Sequence, residues 1–186
     1  MIGFAMCGSY CTHKYSIAQL EGLINDGFDI IPIVSENVYS TDTRFGEAKA
    51  LQKKLFDLCG REAIHTIVDA EPLGPKVELD ALIISSCTGN TLAKMAAGIT
   101  DTPVCMAAKA HLRSDRPLLI ALSTNDALSA NMKNIGAMLE KKNVYFVPMR
   151  QDDPVNKPHS LVSELPLLPK AMNAAKEGRQ IQKLFC

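Results

Sequence analysis

Apolar residues along this chain gather into short runs, each closed by a polar or glycine-bearing break and followed by apolar residues spaced three and four apart. That rhythm predicts strands alternating with helices, and with them a mainly parallel sheet covered on both faces. The fold class read from it is α/β, a three-layer, doubly wound sheet of Rossmann-like type.

Residues 1–6 form the first strand, with Gly8-Ser9 as its turn. Ile17, Leu20, Leu23 and Ile24 mark a helix over residues 16–26, which Gly27 ends. Residues 28–34 are the second strand, 35–43 a polar connection, and 44–59 a helix with Ala48, Leu51, Leu55 and Leu58 inward, stopped by Gly60. Residues 61–68 read as a further short element, helical at its start. The prolines and glycine of Glu71-Pro72-Leu73-Gly74-Pro75-Lys76 make a loop. Residues 81–85, 103–107, 116–122 and 144–148 complete the strands. Helices are expected up to about Gly98, from about Ala127 to Lys141, and through Leu167, Leu168, Met172 and Ala175; Gln151-Asp152-Asp153-Pro154 opens a polar loop.

One break stands out. Leu82-Ile83-Ile84 runs into Ser85-Ser86-Cys87-Thr88-Gly89-Asn90-Thr91 before helical spacing resumes at Leu92. In open α/β sheets ligands collect where a strand's carboxyl end meets the free N–H groups of the next helix. Thr88 or Asn90 as a plain helix cap is the bland reading, but the hydroxyl and amide groups outnumber what one cap requires. Gly89 is expected to let the backbone approach a ligand closely. Gly8-Ser9 and Ser123-Thr124-Asn125 are strand ends of the same kind, and a parallel sheet brings all three to one edge. Neither GxGxxG nor GxxxxGK[ST] occurs, so a mononucleotide with one phosphate fits better than the usual dinucleotide or P-loop cradles.

With 186 residues, 47% of them hydrophobic and 22% charged, the chain is read as one domain, residues 1–186, with a substantial core. Twenty basic and twenty acidic side chains cancel, so no whole-chain field draws it to nucleic acid or an anionic membrane. No basic leader with a long apolar run opens it and no apolar run reaches membrane-spanning length, which makes a cytoplasmic protein the expectation. Six cysteines without CxxC spacing suit reduced thiols better than a disulfide frame or a zinc site, and no metal is expected. Cys7 and Cys11, four apart in the first loop, are either space-filling thiols or a redox pair.

On these residues the chain resembles the flavoprotein family that includes the flavin-dependent cysteine decarboxylases and the flavin prenyltransferases. The resemblance is carried by Gly8-Ser9, Val34-Ser35, the block Thr88-Gly89-Asn90-Thr91-Leu92-Ala93-Lys94 with Gly98-Ile99-Thr100-Asp101 after it, and Ser123-Thr124-Asn125. Longer matches to one branch of the family are Ser40-Thr41-Asp42-Thr43-Arg44-Phe45-Gly46, Ala70-Glu71-Pro72-Leu73-Gly74-Pro75-Lys76, Met106-Ala107-Ala108-Lys109, Leu122 to Leu128, and Gln151-Asp152-Asp153-Pro154.

The resemblance implies FMN, with its phosphate on Gly8 and Ser9 and Ser35 near the flavin edge. It sets Ser86, Thr88, Asn90 and Thr91 around the ribityl chain and ring, and brings Ala107 and Ala108 to the ring after the strand at 103–107. Asn125 matches the asparagine of the decarboxylases' Pro-Ala-Met-Asn motif. Leu122-Ser123-Thr124 replaces the three residues before it, a departure that separates the chain from decarboxylase substrate binding. His65 lies where the decarboxylases' catalytic histidine could stand, in surroundings that match poorly, and His13 lies near the phosphate turn; either is equally an ordinary loop histidine. Arg44 and Lys109 are candidates to receive a substrate carboxylate, or are ordinary surface charge. No catalytic residue is assigned.

The branch implies an oxidoreductase subunit active during sporulation in the mother cell. It would act with a partner subunit that carries NAD(P), oxidising a dihydrodipicolinate-type dicarboxylate of the lysine pathway to dipicolinate. A homo-oligomer is expected as well, because family flavin sites are commonly completed by a neighbouring subunit. An FMN-dependent cysteine decarboxylase, and a non-catalytic partner that kept the fold and lost the cofactor, remain the alternatives.

Overall fold

The apolar runs become strands. In the computed structural model, which describes residues 1–186, strands β1 (Ile2–Met6), β2 (Ile30–Val34), β3 (Ala81–Cys87), β4 (Leu118–Thr124) and β5 (Val144–Phe146) pair in parallel in the order β2-β1-β3-β4-β5. Ile2 pairs with Ile30 on one side and Ala81 on the other, and Leu82 pairs with Leu118, so all these strands end along one edge. Two more strands, β6 (Met149–Arg150) and β7 (Leu161–Ser163), make the sheet mixed: β7 runs antiparallel to the end of β4, with Ser123 opposite Val162, and β6 runs antiparallel to β7.

The connections are helical: α1 (His13–Asn25), α2 (Glu36–Ser40), α3 (Ala48–Cys59), α4 (Ile67–Ala70), α5 (Gly89–Ala96), α6 (Pro103–Leu112), α7 (Met132–Leu139) and α8 (Leu168–Lys176). Alternation along the strands feeds two cores, because successive strand side chains point to opposite faces. Phe4 and Met6 of β1 pack with Leu20 of α1, Leu55 of α3 and Leu168 of α8. Ala5 and Cys7 pack on the other side with Leu92 of α5, Val104 of α6 and Ile135 of α7. β1 and β3 are buried throughout, as strands covered on both faces must be.

The strand expected at residues 103–107 is instead the first half of α6. Thr102 caps the helix, its hydroxyl accepting from the Cys105 N–H at 3.2 Å, and Pro103 sits in the first turn, where its missing N–H costs nothing. Residues 103–107 are all apolar and, Met106 apart, buried, so no polar face exposes a helical period there, and a short apolar run of this kind reads equally as a strand.

Residues 61–68 also depart from expectation, extended first and helical after. Ile64 bridges to Ile33, its N–H donating to the Pro32 carbonyl, and α4 follows once Thr66 caps it. The polar connection at 35–43 contains α2. The helix expected from Arg44 begins at Ala48, because residues 43–46 close a turn through paired backbone bonds, and the one expected from Ala127 begins at Met132 after a run of turns.

Candidate functional site

The turn after β1, the β3–α5 junction and the end of β4 meet at the common strand edge. The β6–β7 hairpin carries residues 151–160 back to the same place. Between them lies a cleft of about 710 Å³ walled by Ser9, Thr88, Asn90, Ser123, Thr124 and Asn125 from the strand ends, and by Asp152, Lys157 and Ser160 from the hairpin. Arg44 and Cys11 complete the rim.

Thr88 caps α5, its oxygen accepting from the Thr91 N–H at 3.1 Å. The backbone N–H groups of Gly89 and Asn90 then open the helix without an acceptor in the chain, as first-turn donors do. The Asn90 and Asn125 side chains are exposed in the cleft and bonded to no other residue.

Gly89 is held from the opposite side. A Cβ there would stand 2.5 Å from Nδ2 of Asn131, 2.6 Å from Oγ1 of Thr124 and 2.7 Å from Oδ1 of Asp126. Those three side chains are bonded together: Thr124 donates to Asp126 at 2.6 Å and Asn131 donates to the other carboxylate oxygen at 2.8 Å. The missing side chain therefore admits a protein network, not the ligand expected from the sequence.

Beneath the cleft the hydroxyls of Ser85, Ser16, Ser86 and Thr12 form a chain with spacings of 2.9, 2.8 and 2.6 Å that ends 2.8 Å from the Ser9 carbonyl. A carbonyl only accepts, so Thr12 gives its one proton there and each hydroxyl behind it donates forward. The Ser9 hydroxyl donates to the Ser123 carbonyl at 2.7 Å, joining the β1 turn to β4. The Thr88 hydroxyl donates to Thr91, and Thr91 donates in turn to the Cys7 sulfur at 3.3 Å. Burial pushes the Cys7 thiol up to about 12 against that bond, and it pushes Cys87 and Cys105 upward too, so these thiols stay protonated.

Charge in the cleft is uneven. Burial works upward on the Asp152 carboxyl, but hydrogen bonds from Ser160 and Lys157 outweigh it and hold the group below its ordinary value; the same pair raises Lys157. Asp126 is committed to Thr124 and Asn131. Arg44 has no carboxylate partner and lies 4.8 Å over the Phe45 ring in its turn, which leaves it as the free cation of the cleft.

The profile of the Flavoprotein family matches residues 1–164. The chain belongs to the Flavoprotein family. Among this flavoprotein's relatives, the dipicolinate synthase B subunit of Bacillus subtilis (strain 168) is 47% identical over 184 residues, covering 99% of this chain and 92% of that one. The crystal structure of the dipicolinate synthase B subunit from Bacillus halodurans C superposes with a TM-score of 0.91 at 40% identity, covering 100% of this chain and 95% of that one. Burkholderia xenovorans DmrB in complex with FMN, described as a cubic protein cage for redox transfer, shares the fold at a TM-score of 0.68 and 16% identity over 92% of each chain.

In this flavoprotein the cleft gathers Ser9, Thr88, Asn90 and Asn125 of the residues named from sequence, with Gly8 in the adjoining turn. Ser86 and Thr91 lie below the wall, buried and bonded within the protein. Ser35 caps α2, accepting from the Val38 N–H at 3.4 Å, and does not line the cleft. Ala107 is fully buried inside α6 rather than at a strand end, a direct consequence of the helix that replaces the expected strand. His65 stacks on Tyr39 with ring centroids 3.6 Å apart, and His13 bonds the Cys7 carbonyl at 2.7 Å; both are away from the cleft wall.

Sequence reading missed Cys11, Asp126, Asp152, Lys157 and Ser160 as cleft residues. Asp126 was within reach, since it directly follows Ser123-Thr124-Asn125 in an α/β strand-end turn. Of the hairpin residues only Asp152 carried a signal, in the match over Gln151-Asp152-Asp153-Pro154; Lys157 and Ser160 carried none, because β6 and β7 have two and three residues, too short for an alternating pattern.

Proposed function

We propose that this chain is the B subunit of a dipicolinate synthase. It would hold FMN in the strand-end cleft and act with a dipicolinate synthase A subunit that carries NAD(P), in oxidising a small dihydrodipicolinate-type dicarboxylate to dipicolinate. The full-length likeness to the Bacillus subtilis protein carries this reading. The setting that goes with it is the cytoplasm of a sporulating mother cell, and the expected assembly is a homo-oligomer, the state in which the related cage protein is described. No helix of the chain is long and apolar enough to cross a membrane.

The cleft's chemistry supports a flavin mononucleotide. Its volume falls in the range of small-molecule sites. The Gly89 and Asn90 N–H groups and the Arg44 guanidinium suit an anionic tail. The free amide of Asn125 offers a donor and an acceptor, as the imide edge of a flavin ring requires. FMN, when bound, supplies a reversible two-electron acceptor. The chain's own part is to seat and orient: Arg44 is the cation the cleft leaves free for an anion, Lys157 being held by Asp152, and the hydroxyl chain below holds the β1 and β3 loops in register.

One observation favours a second reading, a partner without cofactor. The hydroxyls of Ser9, Ser86, Thr88 and Thr91 all donate within the chain already. The visible absorption spectrum of protein purified from a flavin-replete host, with the released chromophore weighed by mass spectrometry, separates the two. FMN in stoichiometric amount is expected, together with faster dipicolinate formation when the protein is added to the A subunit with nicotinamide cofactor and dicarboxylate. A colourless protein that refuses added FMN yet accelerates the A subunit overturns the flavin assignment alone. No effect on the A subunit overturns the synthase reading.

A further inference from the structure

A second cavity lies between α5, α6 and α7 and shares no residue with the strand-end cleft. Its volume is about 350 Å³, and Met95, Ile99, Leu112 and Met138 give it an apolar floor. Lys109, Arg113 and Lys141 stand around it, all exposed.

The neighbouring cations are neutralised by their own carboxylates: Lys94 by Asp101 at 2.8 Å, Arg116 by Glu78 at 2.8 Å, and Lys142 by Asp115. Lys109, Arg113 and Lys141 have none. Lys109 of α6 and Arg113, which caps the helix with its N–H on the Lys109 carbonyl, are four residues apart, a spacing at which like charges repel. The partial negative charge at the end of α6 offsets some of this for Arg113, but Lys141, just past the end of α7, adds a third positive charge. A local conflict of this kind, beside a formed apolar hollow, marks a place where an outside anion completes the structure.

We propose that this groove is a second ligand site, separate from the strand-end cleft, which takes a small carboxylate with a compact apolar body. The apolar part lies on Met95, Leu112 and Met138, and the carboxylate sits among the three cations. The hollow is the size of a small molecule rather than of a protein segment, which settles the class of occupant.

The probe is 1-naphthoate, titrated into the whole protein by calorimetry and by the methyl resonances of its methionines, with 1-naphthalenemethanol and acetate as controls lacking the charge and the apolar body. One naphthoate per chain is expected, shifting the Met95 and Met138 methyls and leaving that of Met132, which lies outside the groove, unchanged. The double variant K109Q/R113Q, at exposed positions, is expected to bind about tenfold more weakly with its circular dichroism unaltered, the loss of a charge-assisted contact. The single variant K141Q is expected to weaken binding in the same direction. Saturating FMN leaves the naphthoate affinity unchanged. A flat titration, equal affinity in K109Q/R113Q, equal binding of 1-naphthalenemethanol, or displacement by FMN overturns the proposal.

Discussion

The hydroxyls of Thr12 and Ser86 lie 2.6 Å apart and tie the loop after β1 to the end of β3. Ser86 also meets Ser16 at 2.8 Å, so it is the middle of a buried chain and not a free wall of the cleft. Replacing it by alanine strands the hydroxyls of Ser16 and Thr12 without their shared partner. Ser86→Ala is expected to lower stability by about 1–3 kcal/mol, read as a lower urea midpoint at unchanged slope. A midpoint equal to that of the parent protein would show that the chain is not a stabilising network.

Two glycines are expected to respond oppositely to alanine. At Gly89 a Cβ meets Asn131, Thr124 and Asp126 at 2.5–2.7 Å, and overpacking there costs about 1–3 kcal/mol. At Gly136, exposed inside α7 with nothing within 4 Å of the added carbon, Gly136→Ala is expected to stabilise by about 0.5–1 kcal/mol through helix propensity. Thermal melts of both variants check the pair, and a stable Gly89→Ala would contradict the tight network beside α5.

Arg44 is exposed and unpaired by any carboxylate, so its removal changes ligand binding without touching the core. Arg44→Ala is expected to leave the melting temperature unchanged and to weaken FMN or dicarboxylate binding by roughly 5–20-fold, with a shallower salt dependence. Equilibrium titration at two salt concentrations measures it. Arg44→Lys is expected to recover only part of the affinity, because a point charge does not reproduce the guanidinium fork.

Burial lowers the pKa of both His13 and His111 from the usual 6.5. The His111 Nε2 lies 3.0 Å from the Pro117 carbonyl and must carry the proton, while Nδ1 has no partner. Protonating Nδ1 would bury an N–H with no acceptor. The unfolded chain takes up protons near 6.5 and the folded chain resists, so stability is complete above that pH and is lost as pH falls toward the lower folded values. The loss is up to about 1.4 kcal/mol per pH unit for each group. Urea midpoints at pH about 7.5 and about 5.5 should show it, and His111→Gln, which keeps the Nε2-like donor, should reduce the dependence to the share contributed by His13.

Thiol chemistry should be confined to the exposed cysteines. Cys7 is pushed up to about 12 and Cys59 to about 11 by burial, Cys87 and Cys105 are raised too, and only Cys11 and Cys186 are exposed. Iodoacetamide at mildly alkaline pH is expected to label those two in the native protein and all six after denaturation. Because Cys11 lines the cleft, FMN should slow its labelling and leave that of Cys186 unchanged. Equal labelling rates with and without FMN would place the cofactor elsewhere.

The α/β class, the strands at the beginning of the chain and the polar strand ends at Ser9, Thr88 and Asn125 were legible because each rests on local pattern. An apolar run that stops at a polar or glycine-bearing turn, repeated along the chain, admits few architectures. A parallel sheet then brings its carboxyl ends to one edge whatever the packing details. The family resemblance carried by the block from Thr88 to Lys94 is local in the same sense.

What the tertiary structure decided is the fate of side chains whose partners are distant in sequence. Ser86, Thr88 and Thr91 look alike in the sequence, yet Thr88 faces the cleft while Ser86 and Thr91 turn inward to Ser16 and Cys7, 70 and 84 residues away. Residues 103–107 satisfied a strand pattern and became helix because Thr102 and Pro103 start one and its apolar side chains fill the space between one face of the sheet and the helices α4 and α5. Lys157 and Asp152 entered the cleft only because two short antiparallel strands fold their loop over β4. Periodicity records which residues are apolar; which polar groups find one another depends on loop closure across the finished sheet, and no local pattern carries that.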